Sequence, residues 1–216
     1  MSKNLLLEIG TEEMPANIMS GVVDQLRVLA ENAFGENRIS LKEITVYATP
    51  RRLAVLVKEA ADRQPDEEVK KRGPSIKAAF DEDGNPTRAA QGFARGQHID
   101  PSELIREGEY TWAHVVNEGK KIEDILPSLF TSLITGLNFT RSMRWADEEA
   151  RFIRPIRWIV ALCGSEVVPM EFAHVKSGRI SRGHRFLCKE DVTIESPENY
   201  KETMRKAFVI VDQDER

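Results

Sequence analysis

The sequence contains few cysteines. Only two occur in 216 residues, Cys163 and Cys188, and neither belongs to a CxxC pair or has a neighbouring histidine ligand. Structural zinc sites and redox pairs need closely spaced thiols, and a disulfide-stapled fold needs several of them. We therefore expect both cysteines to be buried thiols with no metal-binding, redox or disulfide role.

Long apolar runs are also missing. No stretch approaches the ~20 apolar residues that span a bilayer. The first residues, Met1 to Glu8, reach an acid before a signal-like apolar segment can form. Hydrophobic residues make up 41% of the chain and charged residues 31%, which is typical of a folded globular protein. These features predict a cytoplasmic protein that has no membrane partner.

Familiar catalytic and ligand-binding motifs are absent from the sequence as well. Gly73-Pro74-Ser75 lacks the GxxxxGK[ST] spacing whose backbone amides and lysine hold phosphates. Asp81-Glu-Asp83-Gly84 lacks the ligand spacing and closing glutamate of a calcium loop, and the four histidines form no HExxH pair. The sequence therefore predicts no catalytic residue, cofactor or metal in this chain.

Three acids near the N-terminus, Glu8, Glu12 and Glu13, admit two interpretations. Paired carboxylates serve as general acid and base in many enzymes. Acids at the start of a helix are instead stabilised by the helix dipole. Because Gly10-Thr-Glu-Glu-Met-Pro15 is typical of a helix start, we favour the second interpretation.

Arginine is concentrated in one region. The formal net charge of the chain is -4, but between Arg141 and Arg185 nine Lys or Arg residues stand against five Asp or Glu. Such a local excess predicts an anion site, and the phosphate backbone of RNA is the anion we favour. The candidate RNA-binding residues lie in turn-prone or loop-prone sequence and are Arg51, Arg52, Arg144, Arg157, Arg179, Arg182, His184 and Arg185.

The same arginines also have a structural interpretation. Guanidinium groups pair with buried carboxylates and stack on aromatic rings such as those of Trp145 and Trp158. We expect a mixture, in which Arg154 is more structural while Arg179 and Arg182 are more exposed.

The apolar patterns predict an α+β fold that opens with a small β-α-β-β unit, residues 1–62. A buried strand at 5–9 precedes a helix that runs to about Phe34, and two β-rich runs follow. Residues 63–72 are charged and poor in apolar side chains, and we predict that they form a charged linker.

Residues 73–216 are predicted to form a larger mixed, β-rich unit with peripheral helices. Strands are expected at 156–163, 178–187 and 192–194. The final apolar run at 209–212 is typical of a strand that opens a new unit, so we expect this unit to be truncated at its C-terminal end.

Short motifs follow one another along nearly the whole chain in the order of one known family. They are Leu5-Leu-Leu-Glu-Ile-Gly-Thr-Glu-Glu-Met-Pro15, Thr49-Pro-Arg-Arg-Leu-Ala-Val55, Arg72-Gly-Pro-Ser75, Ala79-Phe-Asp81, Gly84-Asn-Pro-Thr87, Ala89-Ala-Gln-Gly-Phe-Ala-Arg95, Met143-Arg-Trp145, Arg151-Phe-Ile-Arg-Pro155, Gly183-His-Arg-Phe186 and Val209-Ile-Val-Asp212. With these motifs in this order, the chain resembles the N-terminal part of the β subunit of bacterial glycyl-tRNA synthetase, the α2β2 type. Ala146 and Thr140 depart from the family pattern, which has Gly and Pro there, and this affects the local turn.

The resemblance implies a division of labour between two subunits. A separate α subunit would hold the class II catalytic core, with ATP and magnesium, and would form the glycyl adenylate. The β subunit would bind tRNA-Gly and assemble with the α subunit into a heterotetramer. This chain would then be a non-catalytic portion of glycine-tRNA ligase.

Two other function classes remain open. One is an assembly module for the α subunit that binds no RNA and uses its arginines in internal salt bridges. The other is an editing-like hydrolase module. Editing ranks last because glycine is the smallest amino acid, and a site can exclude larger ones sterically.

Overall fold

We describe residues 2–139, 142–144 and 151–216 of the protein in a computed structural model. Its strands, in chain order, are β1 (Ser2–Thr11), β2 (Glu43–Thr49), β3 (Arg52–Ala61), β4 (Glu67–Ser75), β5 (Ile105–Glu107), β6 (Tyr110–Asn117), β7 (Met143–Arg144), β8 (Arg151–Phe152), β9 (Ile156–Cys163), β10 (Glu166–Val167), β11 (Glu171–Phe172), β12 (Val175–Gly178), β13 (Ile180–Arg182) and β14 (Asp191–Thr193). Its helices are α1 (Met19–Glu36), α2 (Ile76–Ala79), α3 (Arg88–Gly96), α4 (Ile122–Gly136) and α5 (Tyr200–Lys206). The predicted α+β class, rich in β-structure with peripheral helices, is confirmed.

Contacts divide the chain into two compact units. The first contains residues 1–64 and 120–216, and the second contains residues 65–119. The first unit is built on a seven-stranded sheet with strand order β11-β12-β9-β1-β3-β2, and β10 is added on β9. Strand β1 lies inside this sheet because it pairs antiparallel with both β3 and β9.

Both faces of the main sheet are covered, which explains the three consecutive leucines, Leu5 to Leu7, in β1. Successive side chains of a strand point to opposite faces. Leu5 and Leu7 pack on the first face with apolar residues of α1 and α4. Leu6 packs on the second face with residues of β14 and α5. A strand buried on both sides has no alternation of apolar and polar residues.

The second unit has a three-stranded sheet of order β4-β6-β5. Its core is small and consists largely of alanines from α2, α3 and β6, together with Leu104. Gly73 in β4 lies so close to Phe93 that a Cβ atom there would be 2.5 Å from the ring. A glycine at this point lets the helix and the sheet approach each other.

The observed division differs from the predicted boundaries. The predicted linker, 63–72, lies largely within β4, whose charged side chains cover aromatic rings: Lys70 lies 5.0 Å from the Trp112 ring and Arg72 4.3 Å from the Tyr110 ring. A charged, half-exposed strand therefore lacks the apolar pattern of a core strand. The predicted unit 73–216 is also divided, because β9 pairs with β1 and so completes the sheet that residues 1–62 begin.

Two predicted strands are shorter or absent. Within 178–187, β13 covers only Ile180–Arg182, and a turn follows in which the Cys188 backbone N–H donates to the His184 carbonyl at 2.9 Å. Residues 209–212 form no strand. Both segments instead line a surface groove.

The chain leaves and re-enters the first unit at neighbouring points. The Gln64 backbone N–H donates to the Lys120 carbonyl at 2.9 Å, and the Ile122 N–H donates to the Asp62 carbonyl at 2.9 Å.

We predict that replacing residues 65–119 by two glycines leaves the first unit folded, because a short loop closes this gap at little entropic cost. Its thermal midpoint should stay within about 5 °C of the parent. Loss of a cooperative transition would contradict the observed division.

Candidate functional site

A buried ion pair lies on the second face of the main sheet. Glu8 follows Leu6 on that face and is 0% exposed. Arg52, 3% exposed, is paired in register with Gly10, while Glu8 is paired with Ala54, so the two charged residues are diagonal neighbours. The Arg52 Nη1 and Glu8 Oε2 atoms are 3.5 Å apart. Such a pair is tolerated in a core only when further hydrogen bonds satisfy its atoms.

Those hydrogen bonds come from three other elements. Trp158 Nε1 in β9 and Ser181 Oγ in β13 each donate to Glu8 Oε1 at 2.5 Å. The Tyr200 hydroxyl at the start of α5 donates to Glu8 Oε2. Burial, and then the Glu8 charge, raise the pKa of Tyr200 well above its ordinary value. Tyr200 therefore stays neutral near pH 7 and keeps its proton available to the carboxylate.

Arg52 is bound through its other nitrogen as well. Its Nη2 donates to the Arg182 carbonyl at 2.6 Å, so the strand–turn junction at Arg182 is tied to the buried pair. Removing the acid would leave a buried guanidinium with neutral partners, namely the Arg182 carbonyl, the Ser181 hydroxyl, the Met204 sulfur and the Trp158 ring. The network thus joins β1, β3, β9, β13 and α5 through one carboxylate.

Trp158 forms a platform for three guanidinium groups. Its ring lies against Gly10, where a Cβ atom would be 1.9 Å from the ring. The guanidinium carbons of Arg51, Arg52 and Arg182 lie 6.0, 5.6 and 5.2 Å from the ring centroid. These distances are within reach of a cation–π interaction. The indole N–H donates to Glu8. The ring contacts Arg51 and Arg182 as well as the buried Arg52.

A groove opens beside this platform, with a cavity of about 390 Å³. The cavity is lined by Glu13, Thr49, Pro50, Arg51, Arg52, Gly183, His184, Arg185, Phe186, Phe208, Val209, Ile210 and Arg216. A neighbouring cavity of about 340 Å³ shares Arg51, Gly183 and Arg185 and adds Arg182. We call the surface formed by Arg51, Arg182, His184, Arg185, Phe186 and Phe208 the basic groove.

His184 also organises the turn that forms one wall. Its Nδ1 accepts the backbone N–H groups of Phe186 and Leu187, each at 3.3 Å. With Nδ1 used as an acceptor, Nε2 is the nitrogen that carries the proton in the neutral ring. His184 is exposed, so this donor is accessible from solvent.

The acids next to the groove do not occupy a helix start. Helix α1 begins at Met19, well after Glu12 and Glu13. Glu12 accepts from Arg157 Nε at 2.6 Å, and this hydrogen bond lowers the pKa of the Glu12 carboxyl. Glu13 lies 3.6 Å from Arg185. The helix-dipole interpretation is therefore wrong for all three acids, because Glu8 lies in β1 and the other two contact arginines.

Four of the predicted RNA-binding residues come together in the basic groove: Arg51, Arg182, His184 and Arg185. Arg52 is near them but buried, so it is structural. Arg157 pairs with Glu12 on the surface. Arg179 binds the Ser165 carbonyl at 2.8 Å and Glu195 at 3.4 Å. Arg144 lies in β7, and its side chain is not among the described parts of the structure. Trp145 lies outside the described residues. Arg154 donates to the Glu13 carbonyl at 3.0 Å.

Several residues of the buried network and the basic groove were not identified from the sequence. Glu8 could have indicated a buried polar network, since an acid inside the apolar run 5–9 requires hydrogen-bond partners. The partners Ser181 and Tyr200 lie more than 170 residues away, and no local pattern connects them to Glu8. In the sequence, Phe186 and Phe208 look like ordinary core residues, and only the structure shows that both side chains are exposed.

The described residues contain no group of three or more His, Cys, Asp or Glu side chains that could hold a metal ion. Cys163 is buried, and burial raises the pKa of its thiol to about 11. Cys188 is partly exposed. None of the described helices is both long enough and apolar enough to cross a membrane.

Comparison with known proteins gives one consistent family. The family model described as "Glycyl-tRNA synthetase beta subunit" matches residues 5–216. The chain is 50% identical over 220 residues to the glycine–tRNA ligase beta subunit of Desulfitobacterium hafniense strain DSM 10664 / DCB-2, 47% identical over 220 residues to that of Natranaerobius thermophilus, and 42% identical over 216 residues to that of Halothermothrix orenii. Each match covers 100% of this chain and 32% of the relative. The chain thus spans about a third of the length of these curated relatives.

Glu8→Gln tests the buried network. We predict a loss of about 3–5 kcal/mol of unfolding free energy, because the substitution leaves the buried Arg52 without an anionic partner. The control is Glu12→Gln, which removes a surface pair with Arg157 and should cost less than about 1 kcal/mol. Urea unfolding of both variants measures the difference. Equal effects of the two substitutions would contradict the network.

Proposed function

Because the chain belongs to the glycyl-tRNA synthetase beta subunit family, we propose that it is an N-terminal portion of the β subunit of a glycine–tRNA ligase and binds tRNA-Gly through the basic groove. In this proposal a separate α subunit binds ATP, magnesium and glycine and forms the adenylate. The β subunit portion positions the tRNA and assembles with the α subunit.

The charge of the basic groove supports RNA binding most directly. Arg51, Arg182 and Arg185 meet at its rim, and Glu13 is the only carboxylate among the described residues that line the main cavity. That carboxylate is exposed and lies 3.6 Å from Arg185, so it offsets one cation weakly. Guanidinium groups match the geometry of phosphate oxygens and remain charged at all relevant pH values.

The arginines outside the groove behave differently. Arg157 and Arg179 each have a carboxylate within 4 Å. Within the described ranges, Arg51 and Arg182 make no ion pair, and their guanidinium groups rest on the Trp158 ring instead. The Nε atom of Arg51 is buried and has no hydrogen-bond partner among the described residues. Both guanidinium groups are thus held on the Trp158 ring without a direct ion pair, although the Arg51 charge also acts on Glu12, and Glu190 and Asp191 line the neighbouring cavity beside Arg182.

Assembly is a second candidate role for the same surface. Four large apolar side chains are exposed around it: Phe186, Leu187, Phe208 and Ile210. Clustered apolar surface often marks a protein contact. Docking of another protein surface would bury these side chains, but it would also place several arginines in an interface that needs complementary acids.

Arg182→Gln in the whole two-subunit enzyme tests RNA binding. We expect affinity for tRNA-Gly to fall roughly tenfold at 50 mM salt, because one phosphate contact is lost. The slope of log affinity against log salt should become shallower by about one unit. Arg179→Gln is the matched control, since Arg179 already has a carboxylate partner, and it should leave both quantities nearly unchanged. Fluorescence anisotropy of labelled tRNA-Gly measures both. Equal behaviour of the two variants would contradict the proposal.

A further inference from the structure

The basic groove has an apolar side that phosphate contacts do not explain. Phe186 is 75% exposed and Phe208 is 59% exposed. Both line the same cavity as Arg51 and Arg185, and the Arg185 guanidinium lies 5.7 Å from the Phe186 ring. Single exposed apolar residues are common on protein surfaces, but two phenylalanines on one cavity beside guanidinium groups form a combined surface.

Phe208 occupies a backbone position that normally favours glycine. It follows the C-cap of α5 with φ +59°. The Phe208 N–H donates to the Arg205 carbonyl at 3.0 Å, and the Val209 N–H donates to the Met204 carbonyl at 2.9 Å. These two bonds form the Schellman motif, in which the left-handed residue is usually glycine. A phenylalanine here is strained, and its ring is exposed rather than packed.

The two phenylalanines are held on the cavity by a close backbone contact. The His184 N–H donates to the Ala207 carbonyl at 2.9 Å, which links the turn carrying Phe186 to the end of α5 carrying Phe208. Gly183 permits this approach, because a Cβ atom there would lie 2.9 Å from the same carbonyl oxygen. The backbone positions of both phenylalanines on the cavity are thus fixed by the fold.

We propose that the basic groove binds an unpaired ribonucleotide, with its base against Phe186 and Phe208 and its flanking phosphates on Arg51, Arg182 and Arg185. The inference rests on the proposed function, since it names the part of the RNA that this site recognises. A cavity of about 390 Å³ is within the size range of small-molecule pockets. Bases inside a duplex are stacked on their neighbours and cannot reach an aromatic wall, whereas unpaired bases can.

A protein ligand fits the same surface less well. Its apolar side chains would cover the phenylalanines, but the partner would also have to supply carboxylates to Arg51 and Arg182, which would otherwise be buried without a counter-charge. A nucleotide supplies both the aromatic base and the phosphates at short range. Charge and apolar surface therefore point to one ligand.

The test uses the whole two-subunit enzyme and two RNA probes of equal length, a single strand and a hairpin whose stem pairs nearly all its bases. A 2-aminopurine in each probe reports base stacking. Phe186→Ala and Phe208→Gly are the variants, and Val28→Ala is the control, because Val28 is 54% exposed on α1, which packs on the first face of the sheet.

We expect Phe186→Ala and Phe208→Gly each to weaken single-strand binding about tenfold. The change in 2-aminopurine fluorescence that accompanies binding should also be smaller in both variants. The affinity for the hairpin should change less than twofold. The slope of log affinity against log salt should change little. Phe208→Gly should leave the unfolding temperature equal or higher, since glycine relieves the left-handed strain. A role of Phe208 in folding alone would give unchanged RNA binding.

Single-strand affinity within twofold of wild type for both variants would overturn the inference. So would equal losses for single strand and hairpin, or a loss of α–β assembly without any loss of RNA affinity, which would assign the surface to a protein partner. Failure of the proposed function is distinguishable, because Arg182→Gln would then leave the affinity for both probes unchanged.

Discussion

The buried contact between Glu8 and Arg52 places one carboxylate and one guanidinium in the interior of the first unit, and the arrangement of the second sheet face follows from it. A buried charge is tolerated only when paired and hydrogen bonded. Trp158, Ser181 and Tyr200 supply donors from three elements far apart in sequence. These elements must pack on β1 together, because each donor satisfies the same carboxylate.

The network also determines where positive charge appears on the surface. Trp158 directs its N–H to Glu8 and presents its ring to Arg51 and Arg182. Arg52 binds the Arg182 carbonyl from inside, so the turn that follows starts from a fixed point. The Arg51 and Arg182 side chains of the basic groove are therefore oriented by the core, whereas Arg185 lies beside the surface carboxylate of Glu13. Preorganised cations lose little conformational entropy when an anion binds.

Much of the fold was predictable from local pattern. Strand β9 coincides with the predicted range 156–163, and α1 and α4 follow apolar spacings that are visible in the sequence. The prediction of a linker at 63–72 missed β4. Lysine and arginine side chains of β4 cover aromatic rings, so the strand has no apolar pattern by which it could be recognised. The extent of the first unit was misjudged because pairing between β1 and β9 is a long-range contact that no local signal reveals.

The candidate site was predictable in part. A local excess of arginine identified Arg182 and Arg185 with His184 among them, and the Thr49-Pro-Arg-Arg52 turn identified Arg51; the fold brings all four together. The sequence could not separate them from Arg52, because Arg52 is the first residue of β3, directly after the turn that contains Arg51, and only the pairing register shows that its side chain faces the buried side. Phe208 could not be recognised, since its exposure depends on the left-handed turn that ends α5.

Photo-crosslinking of tRNA-Gly to the whole two-subunit enzyme would show whether the basic groove contacts the RNA. The tRNA would carry 4-thiouridine in place of uridine, and mass spectrometry would identify the crosslinked peptides. If the tRNA binds in the basic groove, crosslinks in this chain should fall within residues 182–189 and 205–210 and should decrease with added salt. Crosslinks in this chain confined to residues 65–119, with none at the groove, would contradict it.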